Sequence, residues 1–417
     1  MIDEGTQPRI NTDQHRYKNR LSRPSLIRVY LCSSVVKIFL AFTCAIGTAS
    51  ELDITKERDS FGFLKPVPVN INGFTGETDS VLKQDLIFMG VVHVPIEEAK
   101  YLVSGNTSNG RLEGRLVTKA TKEQRFGRAY TGGSLRAQTH RFADDVANAV
   151  TGLPGIAQKK ITFKVESGLA QSEAYIADYD GYNARGVTQD HSIVAAPTWA
   201  DPSTLVYGSY KMGQIYIYSH NLPTGSRKAV SHYPGANMSP AISPDGKRIA
   251  MILGKGGNPD LYVRDVDGDN LVQLTHTREA ESSPCWSPDG RSICFVSRER
   301  GPASLFIMSA LGGEMRRLNT AGVSNPTEPD WSPDGKWMAF TSQGRDFSIC
   351  IVDVRGGPAI TLVSGEDPSW APNSRALIFC RGHDHAKVLS LLDVPTKHVK
   401  DIARIQESNS QPSWARR

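Results

Sequence analysis

One short segment recurs six times along the C-terminal two-thirds of the chain, and this recurrence limits the fold more than any other feature. Clear copies are SPAISPDG at 239–246, SPCWSPDG at 283–290, EPDWSPDG at 328–335 and DPSWAPNS at 367–374. Looser copies flank them, APTWADPS from Ala196 and QPSW ending at Trp414. The aligned anchors are Trp199, Ile242, Trp286, Trp331, Trp370 and Trp414, so successive separations are 43, 44, 45, 39 and 44 residues. That is the period of a four-stranded propeller blade, about 40–45 residues. A proline stands two residues before every anchor: Pro197, Pro240, Pro284, Pro329, Pro368 and Pro412.

Each repeat has the same internal order. The anchor is expected to begin the innermost strand, where a large apolar side chain packs between neighbouring blades. Ser-Pro-Asp-Gly then suits a type I turn, with proline presetting φ at the second position and glycine relaxing the exit. A second strand follows (IAMIL from Ile249, ICFVS from Ile293, MAFTS from Met338, LIFC from Leu377), then a polar loop and an alternating third strand such as LYVRD from Leu261 or ICIVD from Ile349. A Gly-containing turn leads to a short outer strand such as LVQLT at 271–275. The sixth anchor, Trp414, has three residues after it, and the strands its blade lacks occur before the first anchor: ITFKVES from Ile161, EAYIADYDG from Glu173 and ARGVTQ from Ala184. Five complete blades and one split blade give six, with the C-terminal strand closing the ring and covering an edge that would otherwise aggregate.

The expected fold class is therefore an α+β N-terminal domain followed by an all-β six-bladed β-propeller, divided as 1–49, 50–156 and 157–417. In the first segment seven Lys/Arg stand against three acids, which is +4 of the chain's formal +5. A basic stretch ending at Lys37 precedes twelve mostly apolar residues, Ile38 to Ala49, too few to span a bilayer and right for a signal-peptide core. Gly47 and Ala49 fit a cut before Ser50, so export is expected, with no membrane insertion after cleavage. In the second segment, strands are expected from Glu51 and Val67. A helix over Asp79–Met89 should end at Gly90, with a hairpin from Arg111 and Arg125. A second helix is capped by Ser134, with Phe142, Val146, Val150 and Leu153 on its apolar face.

The rest of the sequence gives no sign of catalysis. Cys285, Cys294, Cys350 and Cys380 sit in apolar strand patterns without CxxC spacing, as small buried thiols do. No GxSxG elbow for a serine hydrolase occurs. His383-Asp384-His385 occupies a variable hairpin slot, and Gly254–Gly257 opens no helix that could cradle a phosphate. The near-neutral remainder carries no nucleic-acid footprint. No cofactor and no metal are expected; an exported propeller enzyme or sugar-binding protein sharing only the repeat is the alternative.

The segment Ala177-Asp178-Tyr179-Asp180-Gly181-Tyr182-Asn183 matches the DYDGYN signature at the start of the TolB propeller. With the order of signal, small α+β domain and split six-bladed ring, the chain resembles the TolB family, periplasmic proteins of the Tol–Pal envelope system. That resemblance implies a monomeric scaffold. It would bind a Pal-like peptidoglycan-associated lipoprotein at one mouth of the propeller. It would present its mature N-terminal segment, Glu51, Leu52, Asp53, Ile54 and Thr55, to a TolA-like inner-membrane protein. The residues just before each anchor proline are expected to form a rim of loops, a common place for binding: Ala195-Ala196, Asn237 with Met238-Ser239, Ser282-Ser283, Thr327-Glu328, Glu366-Asp367 and Ser410-Gln411. Asn237, Ser239, Ser282, Ser283, Thr327, Glu328, Glu366 and Asp367 are the candidates for the Pal-like contact.

Overall fold

Each Ser-Pro-Asp-Gly copy reverses the chain as its composition predicts. In the copy at 239–246 the Gly246 N–H donates to Ser243 O at 2.8 Å, and Gly246 takes φ +73°. The serine does more than its turn position requires. Its hydroxyl donates to Asp245 at 2.6 Å and accepts from Arg248 N at 2.9 Å, stitching both strands to the turn. Ser287 and Ser332 repeat this at 2.6–2.9 Å.

The computed structural model describes residues 57–417 apart from 169, 384–385, 403–404 and 417. The leader, the strand expected from Glu51 and the Glu51–Thr55 segment lie outside the described residues, as do Asp384 and His385. Six four-stranded sheets form the propeller. Blades 1 to 5 run from Val194–Asp201, Asn237–Ile242, Ser282–Trp286, Pro326–Trp331 and Glu366–Trp370 as innermost strands. Blade 6 is split as counted: Ser408–Trp414 pairs with Lys160–Gly168, and Trp414 lies opposite Ile161. Some outermost strands are shorter than expected, Arg185–Gly186 and Val272–Gln273 being two residues each, whereas Arg227–Ser231 and Ile360–Ser364 keep five.

The anchors pack between blades as expected. Trp286 shares a core with Ala250 and Leu261 of blade 2 and Ile293 and Phe295 of its own blade. Trp331 does the same between blades 3 and 4, and Trp370 between blades 4 and 5. One expectation is corrected: the anchor stands at the inner strand's exit, not its start, so the residues before its proline belong to the strand and not to loops. Ala196, Ser239, Ser283, Glu328, Asp367 and Gln411 all take φ between +49° and +55° at a register shift in that strand. A bulge leaves a ladder N–H unpaired, and the following proline has none to leave, which accounts for six prolines in six blades.

The N-terminal domain has a five-stranded sheet over Val67–Asn72, Val91–His93, Tyr101–Ser108, Arg111–Thr118 and Gln124–Tyr130. Helix α1 (Gly76–Phe88) starts three residues before its expected position. Helix α2 (Leu135–Thr151) is capped by Ser134, whose Oγ accepts from Ala137 N, and ends at left-handed Gly152, leaving Leu153 outside it. Phe142 of α2 is fully buried beside Phe74 and Tyr130. The described residues from 57 onward belong to one compact unit.

Candidate protein-docking channel

The six innermost strands enclose a cavity of about 510 Å³ along the propeller axis. Its wall carries the bulge residues at one end and Pro244, Pro288, Pro333 and Pro372 of the turns at the other. The N-terminal domain docks on the turn side of the propeller. There Asn373 Nδ2 donates to Phe88 O at 2.9 Å, Arg375 Nη1 donates to Leu64 O at 2.5 Å, and Phe63 stacks on Trp337 at 5.4 Å. Asn373, where the SPDG copies have aspartate, thus makes one of these contacts. Strand direction then places the bulge residues at the opposite mouth, away from the docked domain.

The signature at 177–183 belongs to the same docking. Asp85 of α1 is buried and accepts from Tyr179 Oη and, at 2.7 Å, from His140 Nδ1 of α2. Burial pushes the Asp85 carboxyl up, while these two donors pull it down. Arg136 of α2 pairs with Asp180 and lies 3.4 Å over the Tyr182 ring. Tyr179 also stacks against the anchor Trp414, so one tyrosine touches both the helices and the ring closure.

At the free mouth the bulge residues of four successive blades are linked. Glu328 Oε2 accepts from Asp367 N at 3.1 Å, Asp367 Oδ2 from Gln411 N at 2.9 Å, and Gln411 Oε1 from Ala196 N at 2.8 Å. Each long acceptor side chain thus satisfies the N–H that the next blade's bulge removes from its ladder. Ala196, Ser239 and Ser283 are too short to continue the belt, so half of the ring is bridged and the other half is lined by small side chains. Deeper in the wall, Asp330 accepts from Trp370 N at 2.6 Å and pairs with Arg416.

The expected candidates separate on this geometry. Ser239, Ser283, Glu328 and Asp367 line the channel, as strand residues and not as rim loops. Asn237 is fully buried and holds the blade 1–2 connection, bonding Ser231, Tyr233 and Gly235. Glu366 is ion-paired to Lys387 at 2.5 Å, and Ser282 and Thr327 precede the bulge without lining the cavity. Gln411, also expected at the rim, and Asp330, which was not, line the wall too. Asp330 stands at an aligned repeat position, so comparing the copies column by column is the signal that points to it.

Burial and the nearby Asp367 raise Glu328 to about 7. A folded value above the usual 4.5 means full stability below about pH 4.5, lost as pH climbs through 7. Glu281 shifts likewise, to about 7, through its burial in the seam before blade 3. Glu328→Gln keeps an acceptor and removes the charge. Its melting temperature is expected to fall less than the wild type's between pH 5 and pH 8, by roughly 1–3 kcal/mol of relative stabilisation at the alkaline end. Parallel pH-dependent curves for the two proteins would contradict this.

Among the described residues no group of three or more His, Cys, Asp or Glu is placed to hold a metal, and no helix is long and apolar enough to cross a membrane. The profile of the TolB β-propeller domain matches residues 147–417. A protein TolB homolog of Protochlamydia amoebophila is 36% identical over 141 residues, 31% of this chain and 30% of that protein. The Tol-Pal system protein TolB of Francisella tularensis subsp. mediasiatica is 34% identical over 150 residues, 34% of each. The matched segments thus span about a third of the length of these relatives. The crystal structure of TolB from Acinetobacter baumannii superposes with a TM-score of 0.75 at 21% identity, covering 87% of this chain and 98% of that one, a likeness of fold. Since the family profile runs from helix α2 through every blade to the closing strand, the chain belongs to the TolB β-propeller family.

Proposed function

We propose that the protein is a periplasmic scaffold of the Tol–Pal cell-envelope system, a docking protein and not an enzyme. A Pal-like peptidoglycan-associated lipoprotein would bind at the bulge-lined mouth. The mature N-terminal segment, Glu51–Thr55, would engage a TolA-like inner-membrane protein. In this role it helps maintain outer-membrane integrity and constriction at division. The observation that carries the reading is the asymmetry of the channel. The N-terminal domain docks on the turn side of the propeller, and the opposite mouth presents a ring of strand residues, half of it small and unbridged. A name carrying the Tol-Pal system in a relative supports the same assignment, and the basic-then-apolar leader supports export.

The small half gives the cleaner test. Lysine at Glu366 or Asp367 would also break bonds inside the ring, mixing folding with binding. Ser239→Tyr together with Ser283→Tyr fills the small half from side chains that are only half-buried. Calorimetric titration with the soluble domain of a peptidoglycan-associated lipoprotein is expected to show at least about tenfold weaker binding, a loss of ~1.4 kcal/mol or more. Unchanged affinity in a variant of unchanged melting temperature would move the docking site elsewhere.

A further inference from the structure

Blade 3 places two thiols opposite one another. Cys285 on the innermost strand (Ser282–Trp286) is the direct register partner of Cys294 on the second strand (Ser292–Ser297). Directly opposed residues of an antiparallel pair have Cα atoms about 4.5–5.5 Å apart, inside the roughly 4.4–6.8 Å that a disulfide spans. Both side chains leave the face that looks at blade 4, where they share a core with Trp331 and Met338. Cys285 Sγ is 3.9 Å from Met338 Sδ, and Cys285 lines the channel. The SPDG turn between them fixes the register, so the hairpin itself brings the sulfurs together. Elsewhere the arrangement differs: Cys350 meets the Thr361 hydroxyl at 3.6 Å, Cys380 meets Asp367 at 3.3 Å, and blade 2 has Ala241 opposite Ala250.

We propose that Cys285 and Cys294 are a redox pair, joined as a cross-strand disulfide when the chain folds in the presence of a disulfide oxidant and left as thiols when it does not. One thiolate attacks the external disulfide, forms a mixed disulfide and expels one external thiolate. The second thiolate attacks the protein sulfur of that intermediate and expels the other. Two protons pass from the cysteines to the departing thiolates, the protein loses two electrons, and the external disulfide is reduced to two thiols. The timing follows from burial. In the native fold Cys294 is fully buried, and burial, with Cys294 alongside, holds the Cys285 thiol far above its usual range. The attacking thiolate is then scarce, whereas the open hairpin exposes both sulfurs. The disulfide would tie the inner strand to its neighbour two residues beyond the left-handed Ser283 of the channel wall.

The test is a peptide map of the full chain refolded by dilution with oxidised and reduced glutathione, against refolding with reduced glutathione alone. Remaining thiols are alkylated after unfolding. Trypsin cuts after Arg278, Arg291 and Arg298, placing Cys285 in peptide 279–291 and Cys294 in peptide 292–298. The oxidised sample is expected to yield these two peptides joined, lighter than their sum by two hydrogens and separated by reductant, with Cys350 and Cys380 alkylated. Cys285→Ser should leave Cys294 alkylated in its own peptide. Native reduced protein in the same mixture should form the bond at least about tenfold more slowly than refolding protein; equal rates would overturn the assignment to folding. Recovery of both peptides separate and fully alkylated after oxidative refolding to native circular dichroism would overturn the pair. Where refolding yields aggregate, the same map on protein alkylated at the moment of cell lysis after export to an oxidising compartment decides it by the same two outcomes.

Discussion

Removing residues 408–417 is expected to destabilise the propeller strongly and promote aggregation, because that segment closes the ring. Trp414 is 2% exposed and fills the seam of the split blade against Tyr179, and loss of a buried Trp alone costs roughly 3–5 kcal/mol. With it go the pairing to Lys160–Gly168, the two belt bonds of Gln411 and the Arg416–Asp330 ion pair. Ile161 and Val165, both buried, would then sit on an unpaired edge open to other chains. Size-exclusion chromatography and thermal melting of the truncated protein check this. A monomer melting within a degree or two of full length would show that the strand does not close the ring.

The second large effect is expected at Arg375. Its guanidinium binds Asp393 through two bonds, Nε to Oδ1 at 2.6 Å and Nη2 to Oδ2 at 3.0 Å, with the two residues 2% and 0% exposed. The remaining nitrogen holds Leu64 O, and the guanidinium packs so closely under Gly90 that a Cβ there would lie 2.9 Å from it. Arg375→Ala leaves a buried carboxylate without its partner, which typically costs 3–5 kcal/mol, so roughly that loss is expected here. The double variant Arg375→Met, Asp393→Asn should recover part of it by removing the orphan charge. Amide exchange should also quicken across residues 63–67 in both, since each loses the bond to Leu64. A single variant as stable as the wild type would show that the pair neither holds the blade nor docks the domain.

Much of the propeller is legible because its signals are local. Proline, aromatic anchor and Ser-Pro-Asp-Gly lie within eight residues of one another, and counting strands after Trp414 yields the split blade. The bulges are hidden for the opposite reason. Positive φ is usually announced by Gly, Asn or Asp, yet here it falls on Ala196, Ser239, Ser283, Glu328 and Gln411, with Asp367 alone of the usual kind. The strand Tyr101–Ser108 escapes a reading by composition because Gly105-Asn106 looks like a turn. The glycine is there because Glu113 O lies 2.0 Å from where a Cβ would be. Arg136 and His140 look like the wet face of an amphipathic helix, and their partners, Asp180 and Asp85 respectively, lie 44 and 55 residues away. Long-range pairing of polar groups leaves no periodic mark.

The split blade also sets a clock. In synthesis the Lys160–Gly168 strand emerges before any complete blade, while its partner, Ser408–Trp414, emerges after all the others. Blades 1 to 5 are built from hairpins between near neighbours and can form as they appear, but the seam that turns a row of sheets into a circle joins the first strand to the last. Such a pairing must wait for the slowest, least local event in folding. Until then the array is open at both ends, a state that any machinery handling unfolded chains can still engage. Ring closure is therefore expected to come last, and the open array to be the form that chaperones engage.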